Sequence, residues 1–256
     1  MKINELFRQR TGFPIDQPLE FAHLPSLLEK TAFSIPFENT AIMKKEKDEL
    51  TEEFMVHKLL TLKQGGLCYE LSTVLFLFLA ENGFQVNMIK GRVFNPDTMT
   101  WSAIGKTHAA IKLTYKNRDY LIDTGFGGNI PLVPVPFNSE SVESSNGKFR
   151  IRTWEDEFIL EMIVRHKDND WRTGYAFTPE PVEISSWNEV RDLLIDEELS
   201  PFNKQLLVTQ LTKEGNKTLT DKSFTEWANG ESRKEEIREE DFNELARLHF
   251  NIDFLE

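Results

Sequence analysis

The only cysteine of the 256-residue chain, Cys68, directly follows the segment Gly65-Gly66-Leu67. The apolar run after it ends at Asn82-Gly83 and is too long and too rich in Leu and Phe for a strand, so it predicts a buried helix. Cys68 would lie in the first turn of that helix, where unpaired backbone amides and the helix dipole favour the nucleophilic thiolate. A lone cysteine is nevertheless more often a small buried hydrophobe than a nucleophile.

A cysteine nucleophile needs a base, and the base needs a group that orients it. His108 precedes the alternating segment 109–115, and Asp123 ends the returning segment, so both lie at the same end of a predicted hairpin. With a tight turn at residues 117–118, Asp123 falls opposite Lys112, on the same face as His108 but about 13 Å away along the strands. We therefore expect a β-bulge or a strand kink if the two side chains are to meet.

Both residues also have simpler explanations. A histidine at a strand end is more often packed in the core or exposed at the surface, and an aspartate there is often a turn former. The other histidines have a less favourable setting, because two lie in predicted helices, one lies beside a polar turn and one lies near the C-terminus. They are His23, His57, His166 and His249. His108 is therefore the preferred base for Cys68.

The charge and the cysteine content limit the partners and the cellular compartment that we expect. The chain has 42 acidic and 30 basic residues and a net charge of −12, which argues against nucleic acid or an anionic membrane as the main partner. A single cysteine excludes an internal disulfide framework, as expected in a reducing compartment. The first residues lack the apolar segment of a signal peptide, and no apolar run approaches the roughly 20 residues that cross a bilayer. We expect a soluble cytoplasmic protein without a metal centre.

The spacing of apolar residues divides the chain into three parts and predicts an α+β fold. Residues 1–84 have helical periodicity and form a predicted bundle that carries the cysteine. Residues 85–188 contain successive strand-like segments, which predict an antiparallel barrel or curled sheet that carries the histidine and the aspartate. Residues 189–256 contain a connecting helix and a last α/β unit. Its terminal helix is predicted at 235–250, with an acidic run as the solvent face.

These residues and their neighbours resemble the arylamine N-acetyltransferases. The matching segments are Ile35-Pro36-Phe37-Glu38-Asn39, Gly65-Gly66-Leu67-Cys68-Tyr69-Glu70-Leu71, Gly91-Arg92-Val93, Thr107-His108 and Leu121-Ile122-Asp123-Thr124-Gly125-Phe126-Gly127-Gly128. Weaker matches are Arg10-Thr11-Gly12, Trp187-Asn188, Ser200-Pro201 and Phe250-Asn251-Ile252. They run in register over nearly the whole chain, and the cysteine and aspartate motifs together are highly specific.

The resemblance implies both a fold and a reaction. The fold is an N-terminal helical bundle, a central antiparallel β-barrel and a C-terminal α/β lid, with a core similar to that of papain-like proteases and transglutaminases. The reaction uses Cys68, His108 and Asp123 as a catalytic triad. Acetyl-CoA acylates the cysteine, CoA leaves, and an arylamine, hydrazine or N-hydroxyarylamine takes the acetyl group.

The resemblance also implies binding residues. Phe37 and Phe126 match the aromatic walls around the arylamine ring, with ordinary core packing as the alternative explanation. Thr107, Gly127 and Gly128 match positions near the pantetheine and phosphates of CoA, where glycine amides approach phosphate oxygens closely. A glycine in a turn is the simpler interpretation of the last two.

The sequence departs from the family pattern at a few positions. Gln64 stands where the family usually has an arginine that meets a carboxylate, for which Glu38 is the natural candidate. Losing this charge is expected to loosen the loop before Cys68 or to leave Glu38 unpaired. Ser72 replaces an asparagine, and Asn203 and Gln205 stand where a serine and a phenylalanine are frequent.

Other functions use related sites. A cysteine peptidase or transglutaminase would share the triad without needing the matches around Pro36 and Gly125. An amide synthase of the same fold would use a tethered acyl chain in place of free CoA. A non-catalytic ligand-binding homologue is the third alternative, although ligand binding alone would not require the complete set of Cys68, His108 and Asp123.

Overall fold

The structure is a computed structural model that describes residues 3–165 and 167–254. His166 lies outside the described residues. The first part of the chain is helical. Its elements are α1 (Ile3–Thr11), a 3₁₀ turn (Phe21–His23), α2 (Leu24–Ser34), α3 (Thr40–Met43), α4 (Glu52–Val56), a π-helical turn (His57–Thr61) and α5 (Cys68–Glu81).

Helix α5 lies at the centre of this bundle. It starts at Cys68 and ends before Asn82 and Gly83, as the sequence predicts, and Gly83 has a positive φ of 82°. Most of its side chains are buried on every side, so it shows no clear polar face. Phe78 stacks on Phe7 of α1 with a centroid distance of 4.2 Å. The buried core of the bundle thus surrounds the helix that begins with the cysteine.

Antiparallel strands form the central part. They are β2 (Gln85–Asn95), β3 (Thr100–Trp101), β4 (His108–Tyr115), β5 (Arg118–Ile122), β6 (Val135–Pro136), β7 (Val142–Ser144), β8 (Gly147–Trp154), β9 (Glu157–Val164) and β10 (Arg172–Phe177). The main order is β6-β5-β4-β2-β10-β9-β8-β7, with β3 paired to β2. Strand β6 also contacts β8, so the sheet nearly closes on itself. In β8 the buried Phe149 and Ile151 alternate with the more exposed Lys148 and Arg152, which gives the barrel its apolar interior.

A second sheet dominates the C-terminal part. After helix α6 (Trp187–Asp196), the chain forms β11 (Leu207–Leu211), β12 (Gly215–Thr220), β13 (Ser223–Ala228), β14 (Glu231–Glu236) and helix α7 (Phe242–Phe250). The strand order is β1-β11-β12-β13-β14, and β1 (Phe37–Glu38) comes from the helical part of the chain. The division at residues 84 and 188 stays a prediction.

The predicted terminal helix at 235–250 is wrong in its first part. Glu235 and Glu236 belong to β14, and the helix begins only at Phe242. A tight turn at Asn229-Gly230, where both residues have positive φ, joins β13 to β14. Strand β14 is exposed on both faces and carries no apolar alternation, so only the Asn-Gly turn could have indicated it.

No described helix is long and apolar enough to cross a membrane. Within residues 3–165 and 167–254, no group of three or more His, Cys, Asp or Glu side chains could hold a metal ion.

Candidate active site

Cys68 is fixed from two sides at the start of α5. Leu67, directly before it, donates its backbone N–H to Glu70 Oε2 at 2.9 Å, which satisfies one of the free amides at the helix end. On the other side, a Cβ added at Gly125 would lie 2.5 Å from Cys68 Cα, closer than atoms can approach. Only glycine therefore lets the segment after Asp123 pack directly on the cysteine.

His108 begins β4, and Asp123 directly follows β5. The turn between these strands lies at residues 116–117, both with positive φ, one residue earlier than predicted. Lys112 pairs with Leu121, so the predicted register with Asp123 opposite Lys112 is wrong by two residues. Continuing the observed register leaves Asp123 two residues from the position opposite His108 and on the same face. The strands pair without a bulge, and the bulge that we expected is not needed.

The Asp123 carboxylate receives hydrogen bonds from three groups. His108 Nε2 lies 2.8 Å from Oδ2, and the hydroxyl of Tyr175 donates to the same oxygen at 2.7 Å. The backbone N–H of Gly125 donates to Oδ1 at 2.7 Å. Tyr175 comes from β10 and was missed in the sequence, because a tyrosine in a barrel strand has the same pattern as a core residue.

The charges of the site favour a protonated histidine. Burial alone would lower the pKa of His108, but the negative charge of Asp123, their hydrogen bond and a further hydrogen bond with Cys68 raise it from 6.5 to about 10. Burial and the Asp123 charge also raise the pKa of Tyr175 well above its ordinary value, so its hydroxyl stays a donor. Since Nε2 faces Asp123, the Nδ1 nitrogen of His108 is the one available to the sulfur. The arrangement can therefore keep a charged imidazolium beside the cysteine at neutral pH.

We expect the rate of Cys68 alkylation by iodoacetamide to be flat between about pH 7 and pH 9. The raised pKa means that His108 keeps its proton below about pH 10 and loses it above, so its charge supports the thiolate throughout this range. A free thiol, by contrast, reacts faster as pH rises through about 8.5. Because Cys68 is the only cysteine, the same protein in denaturant is the matched control. A folded-state profile that follows the denatured one would contradict the ion pair.

A cavity of about 670 Å³ opens in front of the cysteine. Phe37, Phe126 and Phe202 are among its walls, and the ring of Phe126 lies 5.1 Å from that of His108. The described lining residues include no Asp, Glu, Lys or Arg. Every residue proposed from the sequence for the site lines this cavity except Asp123, which lies behind the histidine. Those that line it are Cys68, His108, Phe37, Phe126, Thr107, Gly127 and Gly128.

A second groove of about 540 Å³ adjoins the first, and the two share Gly128, Asn129, Thr209 and Thr218. It runs between the barrel and the C-terminal sheet. Its charged lining residues are three cations and one carboxylate, namely Arg165, Lys167, Lys213 and Glu214. Burial and the nearby charge of Arg172 lower the pKa of Lys167. The groove is thus a cationic surface on an acidic protein.

Glu38 has a cation partner despite the absence of an arginine at position 64, so the prediction of an unpaired Glu38 is wrong. Lys58 of the π-helical turn places Nζ 3.4 Å from Glu38 Oε1. The other carboxylate oxygen, Oε2, accepts hydrogen bonds from the backbone N–H and the hydroxyl of Thr40. Gln64 donates its backbone N–H to the carbonyl of Lys58 at 3.1 Å.

The cysteine begins a helix of the N-terminal bundle, and the histidine and the aspartate that it meets come from the adjoining antiparallel barrel. A family model described as N-acetyltransferase matches residues 20–255 of the chain. A relative from Bacillus subtilis (strain 168), the uncharacterized acetyltransferase YvcN, is 38% identical over 94% of this chain and 95% of its own length.

Solved structures of arylamine N-acetyltransferases match nearly the whole chain. An arylamine N-acetyltransferase from Bacillus cereus, described with a unique Cys-His-Glu catalytic triad, superimposes with a TM-score of 0.93 at 35% identity, over 99% of this chain and 100% of its own. Arylamine N-acetyltransferase C from Bacillus anthracis superimposes with a TM-score of 0.92 at 34% identity, over 98% and 99%. The chain belongs to the arylamine N-acetyltransferase family. Its own partner for His108 is an aspartate, Asp123.

Proposed function

We propose that this protein transfers the acetyl group of acetyl-CoA to arylamines and hydrazines through an acetyl thioester on Cys68. The observation that carries the proposal is the buried contact of His108 with Asp123, beside a cysteine that opens into a cavity whose described lining includes no Asp, Glu, Lys or Arg. Family membership supports an acyl transfer. In this proposal the catalytic residues are Cys68, His108 and Asp123.

In the first half of the reaction, the Cys68 thiolate attacks the carbonyl carbon of the acetyl thioester. The carbonyl electrons move to oxygen, and the Cys68 backbone N–H at the start of α5 is a donor for that oxyanion, because the first helical amides have no intrahelical acceptor. The carbon–sulfur bond to CoA then breaks. CoA leaves as a thiolate that takes the proton of His108, and Cys68 carries the acetyl group.

In the second half, the amine nitrogen attacks the same carbonyl carbon. Neutral His108 accepts the proton of the amine as the new carbon–nitrogen bond forms. The bond to the Cys68 sulfur breaks, and the thiolate and the imidazolium are restored. Asp123 holds the imidazole in one orientation and stabilises its positive charge through both half-reactions.

The cavity suits a neutral aromatic amine. Phe37 and Phe126 are among its lining residues, and aromatic rings pack favourably in offset or tilted arrangements. An alkylamine is protonated at neutral pH and would have to enter without a carboxylate to receive it, which is costly. Arylamines and arylhydrazines are largely unprotonated there and avoid this cost.

The donor would extend from the cavity into the cationic groove. Thr107, Gly127 and Gly128 line the cavity, and Gly128 also lines the groove, so a narrow pantetheine chain would pass them on the way to the groove. The phosphates would then reach the groove that Lys167 and Lys213 line. Ammonium groups bind phosphate as compact point charges, so the groove matches the polyanionic end of CoA.

We expect the double variant Lys167→Met/Lys213→Met to raise KM for acetyl-CoA about tenfold and to change kcat little. Tenfold corresponds to about 1.4 kcal/mol, a modest share of two charge-assisted contacts. Turnover with p-nitrophenyl acetate, which has no phosphates, should stay within about twofold. Lys148→Met, an exposed lysine on β8 outside the groove, is the matched control. An unchanged KM for acetyl-CoA would place the phosphates elsewhere.

The proposed function is tested by steady-state release of CoA across a panel of arylamines, hydrazines and peptide amides. Release that depends on an arylamine or a hydrazine supports it. Turnover with a carrier-tethered acyl chain but not with free acetyl-CoA would favour the amide synthase. No release with any amine or donor would favour a non-catalytic ligand-binding homologue.

A further inference from the structure

Lys58 is a buried lysine with no place in the chemistry described above. Its Nζ lies 2.7 Å from Glu70 Oε1 and 3.4 Å from Glu38 Oε1, and the three side chains are only 9%, 4% and 1% exposed. Burial acts to lower the pKa of Lys58, but the two carboxylates outweigh it and keep the amine charged. This cluster of Lys58, Glu38 and Glu70, here called the buried charge cluster, joins the π-helical turn to β1 and α5.

Glu70 links the buried charge cluster to the start of α5, the helix that carries Cys68. Glu70 binds Lys58 with Oε1 and accepts the backbone N–H of Leu67 with Oε2 at 2.9 Å. A Cβ at Gly66 would lie 2.8 Å from this same Oε2, so the turn before the helix packs tightly on the carboxylate. The position of Glu70 therefore fixes the backbone immediately before Cys68.

Glu38 links the buried charge cluster to the wall of the cavity. Glu38 donates its backbone N–H to the carbonyl of Gly66 at 3.1 Å, and Gly66 donates its own to the carbonyl of Pro36 at 3.3 Å. Glu38 also pairs with Val208 in β11, and the adjacent Phe37 lines the cavity. The buried charge cluster thus ties the start of α5 to β1 and, through β1, to the C-terminal sheet.

We propose that Lys58 is a positioning residue for the acetyl transfer, holding the turn before α5 so that the Cys68 backbone N–H points at the developing oxyanion. The proposal rests on the proposed function. Without the ammonium, two buried carboxylates would face each other with no cation between them, and they would move apart or take up a proton. Glu70 would then no longer hold Leu67 in its present place.

The proposed role of Lys58 predicts different effects on two reactions of the Cys68 sulfur. Acetylation by acetyl-CoA builds an oxyanion and needs the Cys68 amide in position, and losing one such donor typically costs about 10²–10³-fold. Alkylation by iodoacetamide displaces iodide at a saturated carbon and builds no oxyanion. It needs only an accessible thiolate, which His108 supports independently of Lys58.

The test uses Lys58→Met, which keeps the length of the side chain and removes its charge. At a temperature where the variant is folded, we expect acetylation of Cys68 in a single turnover to slow by about 10–100-fold, with alkylation within about threefold of wild type. The matched control is Lys47→Met, which removes a lysine from an exposed ion pair with Asp196. It should change neither rate.

A second variant covers the case in which Lys58→Met does not fold. In Lys58→Met/Glu70→Gln, the amide oxygen can still accept the Leu67 N–H while one unpaired buried charge is removed, so we expect a higher unfolding midpoint than in the single variant. Acetylation should stay slow, because no ammonium holds the side chain at position 70, and with it Leu67, in place against Glu38. Recovery of acetylation together with stability would overturn the proposal, and so would a parallel fall of acetylation and alkylation in a folded variant. If wild-type protein takes no acetyl group, the proposed function itself fails.

Discussion

Acetyl-CoA added without any amine is expected to leave one acetyl group on Cys68. The step exchanges one thioester for another, so it is close to neutral in energy and does not need the second substrate. Intact-protein mass spectrometry should show the gain of a single acetyl group, and hydroxylamine should remove it rapidly. Because Cys68 is the only cysteine, Cys68→Ser should abolish both the adduct and arylamine turnover.

The kinetics should agree with this intermediate. A covalent intermediate gives ping-pong behaviour, with parallel lines in double-reciprocal plots against the two substrates. Water should release the acetyl group slowly, since Cys68 is largely buried. Intersecting lines, together with no adduct at any quench time, would instead favour direct transfer in a ternary complex and remove the proposed role of Cys68.

Asp123→Asn is expected to lower kcat by about 10³–10⁴-fold, on the scale seen when the acid of a Ser-His-Asp triad is replaced by its amide. The amide keeps the shape of the carboxylate but removes the charge that raises the pKa of His108. The imidazole would then lose its proton at lower pH, and the flat alkylation profile at neutral pH should disappear. The fall in activity should far exceed the fall in the unfolding midpoint.

Tyr175→Phe provides the comparison for this prediction. It removes one hydrogen bond to the same carboxylate oxygen but leaves the charge of Asp123 and the ring packing on His108. A single net hydrogen bond is worth about 1 kcal/mol, so a fall in kcat of about fivefold is expected. Nearly full turnover in Asp123→Asn would show that Asp123 does not orient His108.

Local patterns predicted the nucleophile helix and the barrel. The Asn82-Gly83 stop and the Leu- and Phe-rich run defined α5, because both signals come from neighbours in sequence. The contact between His108 and Asp123 was harder to predict, because a shift of the turn by one residue changes the pairing between the two strands by two residues. Both Lys-Asn and Asn-Arg could form the turn between β4 and β5, and only the packed sheet decides between them.

Partners that come from distant elements had no local signal. In the sequence, Tyr175 has the pattern of a barrel core residue. Its contact with Asp123 forms because β10 pairs with β2, which brings the hydroxyl to the carboxylate. Lys58 lies in a segment that has the sequence pattern of an amphipathic helix, where a lysine is expected on the solvent face. Its burial follows from the local π-helical turn and from two carboxylates, one of them contributed by β1.

The pairing of β1 with the C-terminal sheet has a consequence for how the protein folds. Asn39, just after β1, donates its side-chain amide to the carbonyl of Phe202, 163 residues further along the chain. Closing so long a loop carries an entropic cost that is met before the new contacts form, so pairings of this kind tend to be made late. During synthesis the segment around Phe37 must wait for β11 to be made. The nucleophile is thus enclosed by its complete cavity only after nearly the whole chain has been translated.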